Sequence, residues 1–442
     1  MKLQDRASSM MRTFAHTLMI ASLIFCGSQA LVQRVCRRQR HHRVAFIDIY
    51  SDPDETEIGT IRAGGQNIYV RELAQSMADK WQLDVFTRRT SYGRPLITYH
   101  PTGFRTVRLE AGPVAHVAAD DLLPYVDEFV KNFILFQWNA SGLCSKEPYY
   151  DVIHTHYWLS ARAGMEIKRC FKGSMALVHT YHSFVKLKCE YMKRRGEPLT
   201  SIIKQRLEVE RRMLEEGDAI VATSPLEARD IKAATLGHIN ARISVIPCGT
   251  NMAKESSGPS ATKCSTIQCI IPDLVGRLND SSKIVLYVGR FEERKGIKNL
   301  ISAFGQARKF LSPSKDLRLV VVGGDPSEVE YHNVRKFLEN SDVWQYSTLA
   351  GRVSHNRLPD YYAAADVTVI PSLYEPFGLV AIESMRMGTP VIASAVGGLS
   401  YTVDHGINGL LVPANDTGAL SRAIVAMLND EGRAKEMGSQ GR

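Results

Sequence analysis

The sequence alternates short runs of apolar and β-branched residues with segments long enough to form helices. Such runs occupy residues 43–50, 83–87, 151–156, 175–182, 219–224 and 243–247, and a second series occupies 283–289, 317–323, 367–372, 390–394 and 409–412. Continuous apolar runs of this kind are typical of parallel strands that are covered on both faces by helices. The pattern therefore predicts an α/β protein with two doubly wound sheets, whose ligands bind beyond the carboxyl ends of the strands.

A polar stretch separates the two series and sets the predicted domain boundaries. Residues 249–269 are rich in Ser, Thr, Gly and Lys, which favours a linker or an inserted loop, and we assign this segment to 249–281. We therefore expect a first domain at 43–248 and a second at 282–442, facing each other across a cleft. Residues 1–42 form a basic and apolar leader that we expect to lie outside the fold.

The charge distribution argues against a nucleic-acid partner. Of the formal net charge of +9, residues 1–43 contribute +7, through eight Lys or Arg residues against a single Asp, so the rest of the chain is nearly neutral. Eight cysteines without a C-x-x-C pair indicate neither a zinc site nor a disulfide framework, and they suit a reducing compartment. We therefore expect a cytoplasmic protein without a bound metal.

The apolar run at 13–32 has three interpretations: a signal peptide, a single membrane anchor, or an extension that belongs to no domain. A signal peptide carries its positive cluster before the apolar run, whereas the Arg-rich cluster here follows it. We favour the extension, and membrane association through this run remains the less favoured alternative.

Two glycines precede a predicted amphipathic helix in the first domain. Residues 70, 73, 74 and 77 form its apolar stripe, so Gly64 and Gly65 lie at its amino terminus. Backbone N–H groups at such a position suit a phosphate, and glycine lets the phosphate approach closely. A Gly-Gly turn without a ligand is an equally good interpretation of this motif alone.

A pair of cations follows the first strand of the second domain. Arg290 stands at the end of the strand and Lys295 follows five residues later, so both side chains are within reach of one diphosphate. Ordinary solvated pairs with neighbouring glutamates are the alternative.

Two glutamates flank a Pro-Phe-Gly turn after the strand at 367–372. Glu375 lies in the loop and Glu383 lies on the second turn of a helix predicted from about Leu379 to Met387. Carboxylates pair well with vicinal hydroxyls, and the N–H groups of residues 377–379 offer a second anion site. This arrangement suits a sugar diphosphate, with one glutamate for a hexose and one for a ribose. In the alternative, Glu383 only caps or pairs within its own helix.

These motifs resemble those of a known enzyme family. The segment YEPFGLVAIE resembles the E-x7-E motif of retaining glycosyltransferases with the two-Rossmann-domain (GT-B) fold, and VGRFEERKG resembles their Arg/Lys diphosphate clamp. The segments AGGQNIYVRELA, DVIHTHYW and LVHTYHSF are similar to landmarks of the branch that holds sucrose-phosphate synthase, sucrose synthase and an inositol-phosphate N-acetylglucosaminyltransferase. The resemblance covers about residues 43–437.

The resemblance implies a set of site residues and a mechanism. It assigns Gly65, Arg290 and Lys295 to the donor diphosphate, Glu375 and the backbone of Phe377, Gly378 and Leu379 to the donor sugar, and Glu383 to the ribose. His182 matches the histidine beside the transferring sugar and is, with Glu375, the candidate catalytic residue. His156 is a second candidate, or a buried structural histidine. The family needs no metal or other cofactor, retains the anomeric configuration, and continues beyond the point where this chain stops, which leads us to expect a truncated second domain.

The resemblance specifies the reaction more closely than the substrates. We expect UDP-glucose or UDP-N-acetylglucosamine as donor and a sugar or polyol as acceptor, with a phosphorylated acceptor as the preferred case. Candidate cations for the acceptor phosphate are Arg88, Arg89, Lys186 and Lys188, for which ordinary surface charge is the alternative. Alternatives for the function are an epimerase or phosphorylase of similar fold and a non-catalytic sugar-nucleotide-binding protein.

Overall fold

The computed structural model describes residues 42–55, 57–58, 64–141, 147–194, 196–234, 239–250, 282–311 and 316–442. The predicted leader and linker therefore lie almost wholly outside the described residues. The chain divides into two compact units, of which the first contains the chain up to Glu55 together with Gln66–Pro247. The second contains residues 56–65 and the chain from Cys248 onward.

Nine strands precede residue 250 in the described part of the chain. They are β1 Arg43–Asp48, β2 Glu57–Ile58, β3 Gln82–Arg88, β4 Ile97–Tyr99, β5 Arg105–Leu109, β6 Val152–His156, β7 Ala176–Thr180, β8 Ala219–Ala222 and β9 Arg242–Val245. All except β2 form one sheet in the order β4-β5-β3-β1-β6-β7-β8-β9. Only the edge pair of this sheet, β4 with β5, is antiparallel. The first predicted parallel sheet is thereby confirmed.

Six helices accompany this sheet in the described residues before position 250. They are α1 Gly65–Met77, α2 Val126–Ser141, α3 Tyr157–Cys170, α4 Val185–Arg194, α5 Ser201–Glu216 and α6 Pro225–Ala233. The predicted stripe of α1 is buried, as its spacing requires. Thr200 and Ser224 cap α5 and α6 by accepting a hydrogen bond from the third helical N–H group.

The second unit contains a similar sheet. Its strands are β10 Lys283–Val288, β11 Leu317–Val322, β12 Ser347–Gly351, β13 Val353–Ser354, β14 Val367–Ile370, β15 Val391–Ser394 and β16 Gly409–Val412. Six of them form a parallel sheet in the order β12-β11-β10-β14-β15-β16. The seventh, β13, pairs antiparallel with β2, which explains why residues 56–65 belong to this unit and not to the predicted first domain.

Seven helices surround this second sheet in the described residues. They are α7 Ile297–Phe310, α8 Val329–Glu339, α9 Leu358–Ala364, α10 Leu379–Arg386, α11 Leu399–Thr402, α12 Thr417–Asn429 and α13 Glu431–Gly441. The predicted helix after the Pro-Phe-Gly turn is α10, and it ends one residue earlier than expected. No described helix is long and apolar enough to span a bilayer.

Each sheet reverses its strand order at one point, and this point positions the site. In the first unit the neighbours of β1 are β3 and β6, and in the second unit the neighbours of β10 are β11 and β14. Chain connections run in opposite directions from such a strand, which leaves a crevice at the carboxyl ends where doubly wound folds bind ligands. The loops after β10 and β14 flank this crevice in the second unit.

Candidate functional site

The loops after β10 and β14 bring two predicted site residues together. The Nζ atom of Lys295 lies 2.5 Å from Oε2 of Glu375, and the side chains are only 18% and 13% exposed. The hydroxyl of Ser372 donates to the same carboxylate oxygen at 3.3 Å. Lys295 and Glu375 are 80 positions apart in the chain, so their contact depends on the pairing of β10 with β14.

Close backbone packing holds the two loops in contact. Gly296 has φ +69° and lies so close to the carbonyl group of Pro371 that a Cβ atom would overlap it. The N–H group of Leu373 donates to the carbonyl oxygen of Arg294 at 2.7 Å. Only glycine satisfies both the left-handed conformation and this approach, so Gly296 fixes where Lys295 points.

The cations of this loop form ion pairs with two carboxylates. Glu292 pairs with Arg290 at 2.7 Å and with Arg294 at 2.5 Å, while Lys295 pairs with Glu375. Three cations and two carboxylates are thus linked by these ion pairs, and the exposed Glu293 belongs to the same loop. Arg294 and Glu292 are members that the sequence analysis did not single out.

The protonation of this cluster follows from burial and charge. Burial lowers the pKa of Lys295, an effect that the charge of Glu375 opposes. Burial would raise the pKa of Glu375, but the charges of Lys295 and Arg294 outweigh it, so this pKa lies below its usual value. Glu375 is therefore an ionised hydrogen-bond acceptor at neutral pH.

Two further glycines, Gly378 and Gly398, support the turn between Glu375 and α10. Gly378 precedes the helix with φ +89°, a conformation that favours glycine. The N–H group of Gly398 donates to the carbonyl oxygen of Glu375 at 2.9 Å, and the hydroxyl of Thr402 donates to the carbonyl oxygen of Phe377 at 3.0 Å. The segment VGG at 396–398 was the available sequence signal for this support, and the sequence analysis missed it.

The start of α10 offers backbone donors beside this cluster. The first N–H groups of a helix have no acceptor within it, so those at Gly378 and Leu379 face the crevice end of the helix. Within the second unit, Gly65 lies against Leu379, since a Cβ atom added to Gly65 would be 3.0 Å from the Leu379 Cδ1 atom. The structure thus places Gly65 at the start of α10.

Glu383 is held by two residues outside its own helix. It is 3% exposed; Oε2 accepts a hydrogen bond from the Tyr362 hydroxyl at 2.7 Å, and Oε1 lies 3.3 Å from Nε2 of His355. Burial and the neighbouring carboxylate raise the pKa of Tyr362 well above its usual value, which keeps its hydroxyl a donor. The side chain therefore does not pair within its helix. A carboxylate accepts about four hydrogen bonds, so Glu383 keeps acceptor capacity.

In the first unit, the two predicted histidines are hydrogen-bonded to each other. His156 ends β6 and is fully buried, and its Nδ1 atom lies 3.0 Å from Nε2 of His182, which is half-buried two residues after β7. His182 and Tyr157 both have positive φ angles, +59° and +71°. Burial lowers the pKa of His182 to about 3, with a contribution from the neighbouring His154. Both rings of the pair are therefore neutral at physiological pH.

A buried ion pair on α5 supports the turn that carries His182. The guanidinium of Arg206 donates to Glu210 at 2.7 Å, to the hydroxyl of Tyr157 at 3.1 Å, and to the carbonyl oxygen of Ser183. Glu210 also accepts from the N–H group of Val185 at 2.9 Å. One side chain thereby connects α5 to Tyr157 and to the residue that follows His182, and no motif in the sequence identified it.

The four candidate cations for the acceptor have different surroundings. Arg88 is 1% exposed and donates to the carbonyl oxygens of Ala111, Pro113 and Ala115, so the prediction that it binds an acceptor is wrong. Its guanidinium is instead engaged by backbone carbonyl groups of the segment 111–115.

The remaining cations are nearer the surface. Arg89 pairs with Glu110 at 2.7 Å and lies over the ring of Tyr92. Lys186 donates to the carbonyl oxygen of Ala233 at 3.2 Å, through an exposed hydrogen bond. The side chain of Lys188 lies outside the described residues.

Comparison with known proteins agrees with this architecture. Residues 275–442 match the family described as "Glycosyl transferases group 1", and residues 64–249 match the "Glycosyl transferase 4-like domain". A D-inositol 3-phosphate glycosyltransferase from Xylanimonas cellulosilytica is 31% identical over 405 residues, which are 91% of this chain and 92% of that protein.

Solved structures are similar over the same length. Sucrose-phosphate synthase from Thermosynechococcus elongatus has 35% identity and a TM-score of 0.76, covering 91% of this chain and 93% of that one. Anabaena HepE, determined with UDP and glucose, has a TM-score of 0.67 over 91% of this chain and 94% of that one; at 19% identity it supports the fold alone.

Proposed function

The chain belongs to the group 1 glycosyl transferases of GT-B fold and is a glycosyltransferase that uses a nucleotide sugar, and from this premise we propose that it transfers a hexose from a UDP sugar with retention of configuration. UDP-glucose and UDP-N-acetylglucosamine are the proposed donors. The observation that carries the proposal is the contact between Lys295 and Glu375. In this contact a cation suited to phosphate oxygens lies beside a carboxylate suited to sugar hydroxyls, which supports the proposal.

The proposed diphosphate site consists of the loop after β10, the start of α1 at Gly65 and the start of α10. Arg290 and Lys295 bind the phosphate oxygens, while Gly65 leaves room for them beside α10. The concentration of Arg290, Arg294 and Lys295 in one loop supports this role, because Arg and Lys form strong, charge-assisted hydrogen bonds with phosphate oxygens.

Glu375 is the proposed ligand of the donor sugar. Its ionised carboxylate accepts from two sugar hydroxyls, and the backbone of Phe377, Gly378 and Leu379 completes the subsite. Hydrogen bonds to a charged acceptor contribute about 1.5–3 kcal/mol each. Because the sugar and the diphosphate meet at the bond that breaks, a residue that contacts Lys295 is well placed for the sugar.

Glu383 is the proposed ligand of the ribose. Tyr362 and His355 hold its carboxylate and leave acceptor capacity for two vicinal hydroxyls. The cis-diol of a ribose donates two such hydrogen bonds. The nucleoside end of the donor therefore lies toward α9 and the diphosphate toward the loop after β10.

The proposed mechanism needs no protein nucleophile. As the acceptor oxygen bonds to the anomeric carbon, the bond from that carbon to the diphosphate breaks, and the leaving diphosphate oxygen takes the proton of the acceptor hydroxyl on the same face of the sugar. Arg290 and Lys295 stabilise the charge that develops on the diphosphate. His182, neutral at physiological pH, supports the transferring sugar by a hydrogen bond. Positioning and electrostatics are the main contributions of the protein.

A phosphorylated sugar or polyol is the proposed acceptor, with fructose 6-phosphate ahead of an inositol phosphate. The support is that two relatives spanning about nine-tenths of the chain are named for such compounds, one as a D-inositol 3-phosphate glycosyltransferase and one as a sucrose-phosphate synthase. Arg89, Lys186 and Lys188 remain the candidate cations for the phosphate. The scattered cysteines suit a cytoplasmic enzyme.

An acceptor panel tests the proposal. The purified chain is incubated with UDP-glucose or UDP-N-acetylglucosamine and with fructose, fructose 6-phosphate, inositol and inositol phosphate, and the anomeric configuration of the product is read by NMR. We expect transfer to a phosphorylated acceptor with retention. Equal rates with the free sugars would refute the phosphate requirement, and an inverted product would refute the mechanism.

A further inference from the structure

The pair of histidines in the first unit has a defined direction of hydrogen bonding. Only one proton lies between Nδ1 of His156 and Nε2 of His182, which are 3.0 Å apart. In one arrangement His156 donates and its Nε2 atom is bare. In the other, His182 donates and His156 carries a proton on Nε2.

The surroundings of His156 distinguish these two arrangements. Its Nε2 atom is buried, and no described residue forms a hydrogen bond with it. Besides that of His182, the rings around His156 are those of Phe46, His154 and Tyr69, at centroid distances of 5.2, 4.3 and 6.0 Å. A proton on Nε2 would thus be a buried donor without an acceptor, which folded proteins rarely tolerate.

The neighbouring His179 also has a buried Nε2 atom, and the direction of its hydrogen bond to Thr155 follows from the contacts of Thr155. The hydroxyl of Thr155 donates to the carbonyl oxygen of Val178 at 3.2 Å, so its oxygen accepts from Nδ1 of His179 at 2.8 Å. His179 therefore carries its proton on Nδ1, and its Nε2 atom is buried without a partner in the described structure. A bare, buried Nε2 is thus already present in this cluster.

From this geometry we infer that His156 donates from Nδ1 to Nε2 of His182 and thereby fixes the proton of His182 on Nδ1, so that His182 offers substrate a hydrogen-bond donor and not a base. His156 is accordingly a positioning residue. The low pKa of His182 supports this inference, because both rings must be neutral for one proton to be shared.

With this tautomer, His182 has a defined role in the proposed reaction. A neutral ring whose Nε2 atom is engaged can meet a ligand only through Nδ1–H. His182 is half-buried, and its Nδ1 atom forms no hydrogen bond with a described residue. A donor of this kind suits a hydroxyl oxygen of the transferring sugar. This part rests on the proposed function, whereas the position of the proton does not.

The tautomer can be measured directly on the full chain. Long-range ¹H–¹⁵N spectra of histidine-labelled protein at pH 7.5 separate protonated from bare ring nitrogens, and the His182→Gln variant assigns the signals of His182. We expect a protonated Nδ1 and a bare Nε2 on His182. A protonated Nε2 on His182 would overturn the inference, whether or not any donor is turned over.

Variants of His156 test whether it sets the tautomer. His156→Asn keeps a donor close to the position of Nδ1, while His156→Leu removes it. We expect His156→Leu to give a mixture of His182 tautomers and to lower kcat about three- to tenfold, with little change in the KM for donor. We expect His156→Asn to restore both the single His182 tautomer and kcat.

A matched control removes a neighbouring ring. His179→Leu replaces a second buried histidine that bonds to Thr155 and not to His182, so the His182 tautomer should be unchanged. An unchanged tautomer in His156→Leu would also overturn the inference. If the chain transfers no sugar but the tautomers behave as expected, the proposed function fails and the inference stands.

Discussion

Replacing Glu375 with Gln should separate sugar binding from diphosphate binding. The substitution keeps the shape of the side chain and removes its charge. In the structure this carboxylate has two partners, Lys295 at 2.5 Å and Ser372 at 3.3 Å. If Glu375 accepts hydrogen bonds from the donor sugar, the rate of sugar transfer depends on this carboxylate and the affinity for free UDP does not.

The magnitude follows from the hydrogen bonds that the carboxylate makes. Two charge-assisted bonds to sugar hydroxyls contribute about 3–6 kcal/mol together, so kcat/KM should fall by about two to four orders of magnitude. Free UDP should bind as tightly as before or several-fold more tightly, because Lys295 loses the carboxylate that neutralises it.

The fold should survive the substitution. Gln still accepts a hydrogen bond from Lys295, so the expected loss is about 1–3 kcal/mol, well below the cost of leaving a buried charge without any partner. For a unit of this size the corresponding fall in Tm is about 3–10 °C. The near-ultraviolet circular dichroism spectrum should be unchanged.

The assay compares two carboxylates of the same cluster. UDP affinity is measured by calorimetry, and transfer by release of UDP, for Glu375→Gln and for the control Glu292→Gln, which removes a charge that pairs with Arg290 and Arg294. Both variants should bind UDP at least as well as the original chain. Only Glu375→Gln should lose transfer beyond a hundredfold.

Either of two results would refute this reasoning. If Glu375→Gln weakens UDP binding by the same factor as transfer, the carboxylate acts through Lys295 and does not contact the sugar. Equal loss of transfer in Glu292→Gln would mean that the net charge of the cluster, and not a specific contact, decides the rate.

Three further outcomes are expected. Arg290→Ala and Lys295→Ala should each weaken UDP binding, by less in combination than the two losses added, because both contact one anion; unchanged calorimetric affinity in both would remove the diphosphate site. Tyr362→Phe should weaken UDP binding about three- to tenfold by freeing the Glu383 carboxylate, an effect that should be absent for a ligand without ribose, such as pyrophosphate. Acid should destabilise the first unit, because burial lowers the pKa of the four buried or half-buried histidines 154, 156, 179 and 182 below the usual value of 6.5. Below pH 6.5 the unfolded chain therefore binds more protons than the folded chain. The free energy of unfolding keeps its full value above pH 6.5 and falls by about 1.4 kcal/mol per histidine per pH unit below it. Equal urea midpoints at pH 7.5 and 5.5 would contradict this.

The predicted elements that the structure confirms are those with local causes. Continuous apolar runs such as 317–323 form central strands because both of their faces are covered, and the helix after the Pro-Phe-Gly turn starts and ends near its glycines. The strand Arg105–Leu109 was missed because its arginines break the apolar run. In the folded chain Arg105 pairs with Asp84 at 2.5 Å and Arg108 with Asp52 at 2.8 Å, partners that no local pattern reveals.

The sequence by itself determined the fold class, the two sheets and the glutamate, glycine and cation motifs at the carboxyl ends of strands, because strand and helix periodicity and turn chemistry are local properties of the chain. Tertiary structure alone decided what each polar side chain contacts. Arg88 turned out to bond three backbone carbonyls, Glu383 to pair with Tyr362, and His156 with His182. The physical reason is that a buried polar group must find a partner wherever the folded chain brings one, and such partners are 21 and 26 residues away in the last two cases.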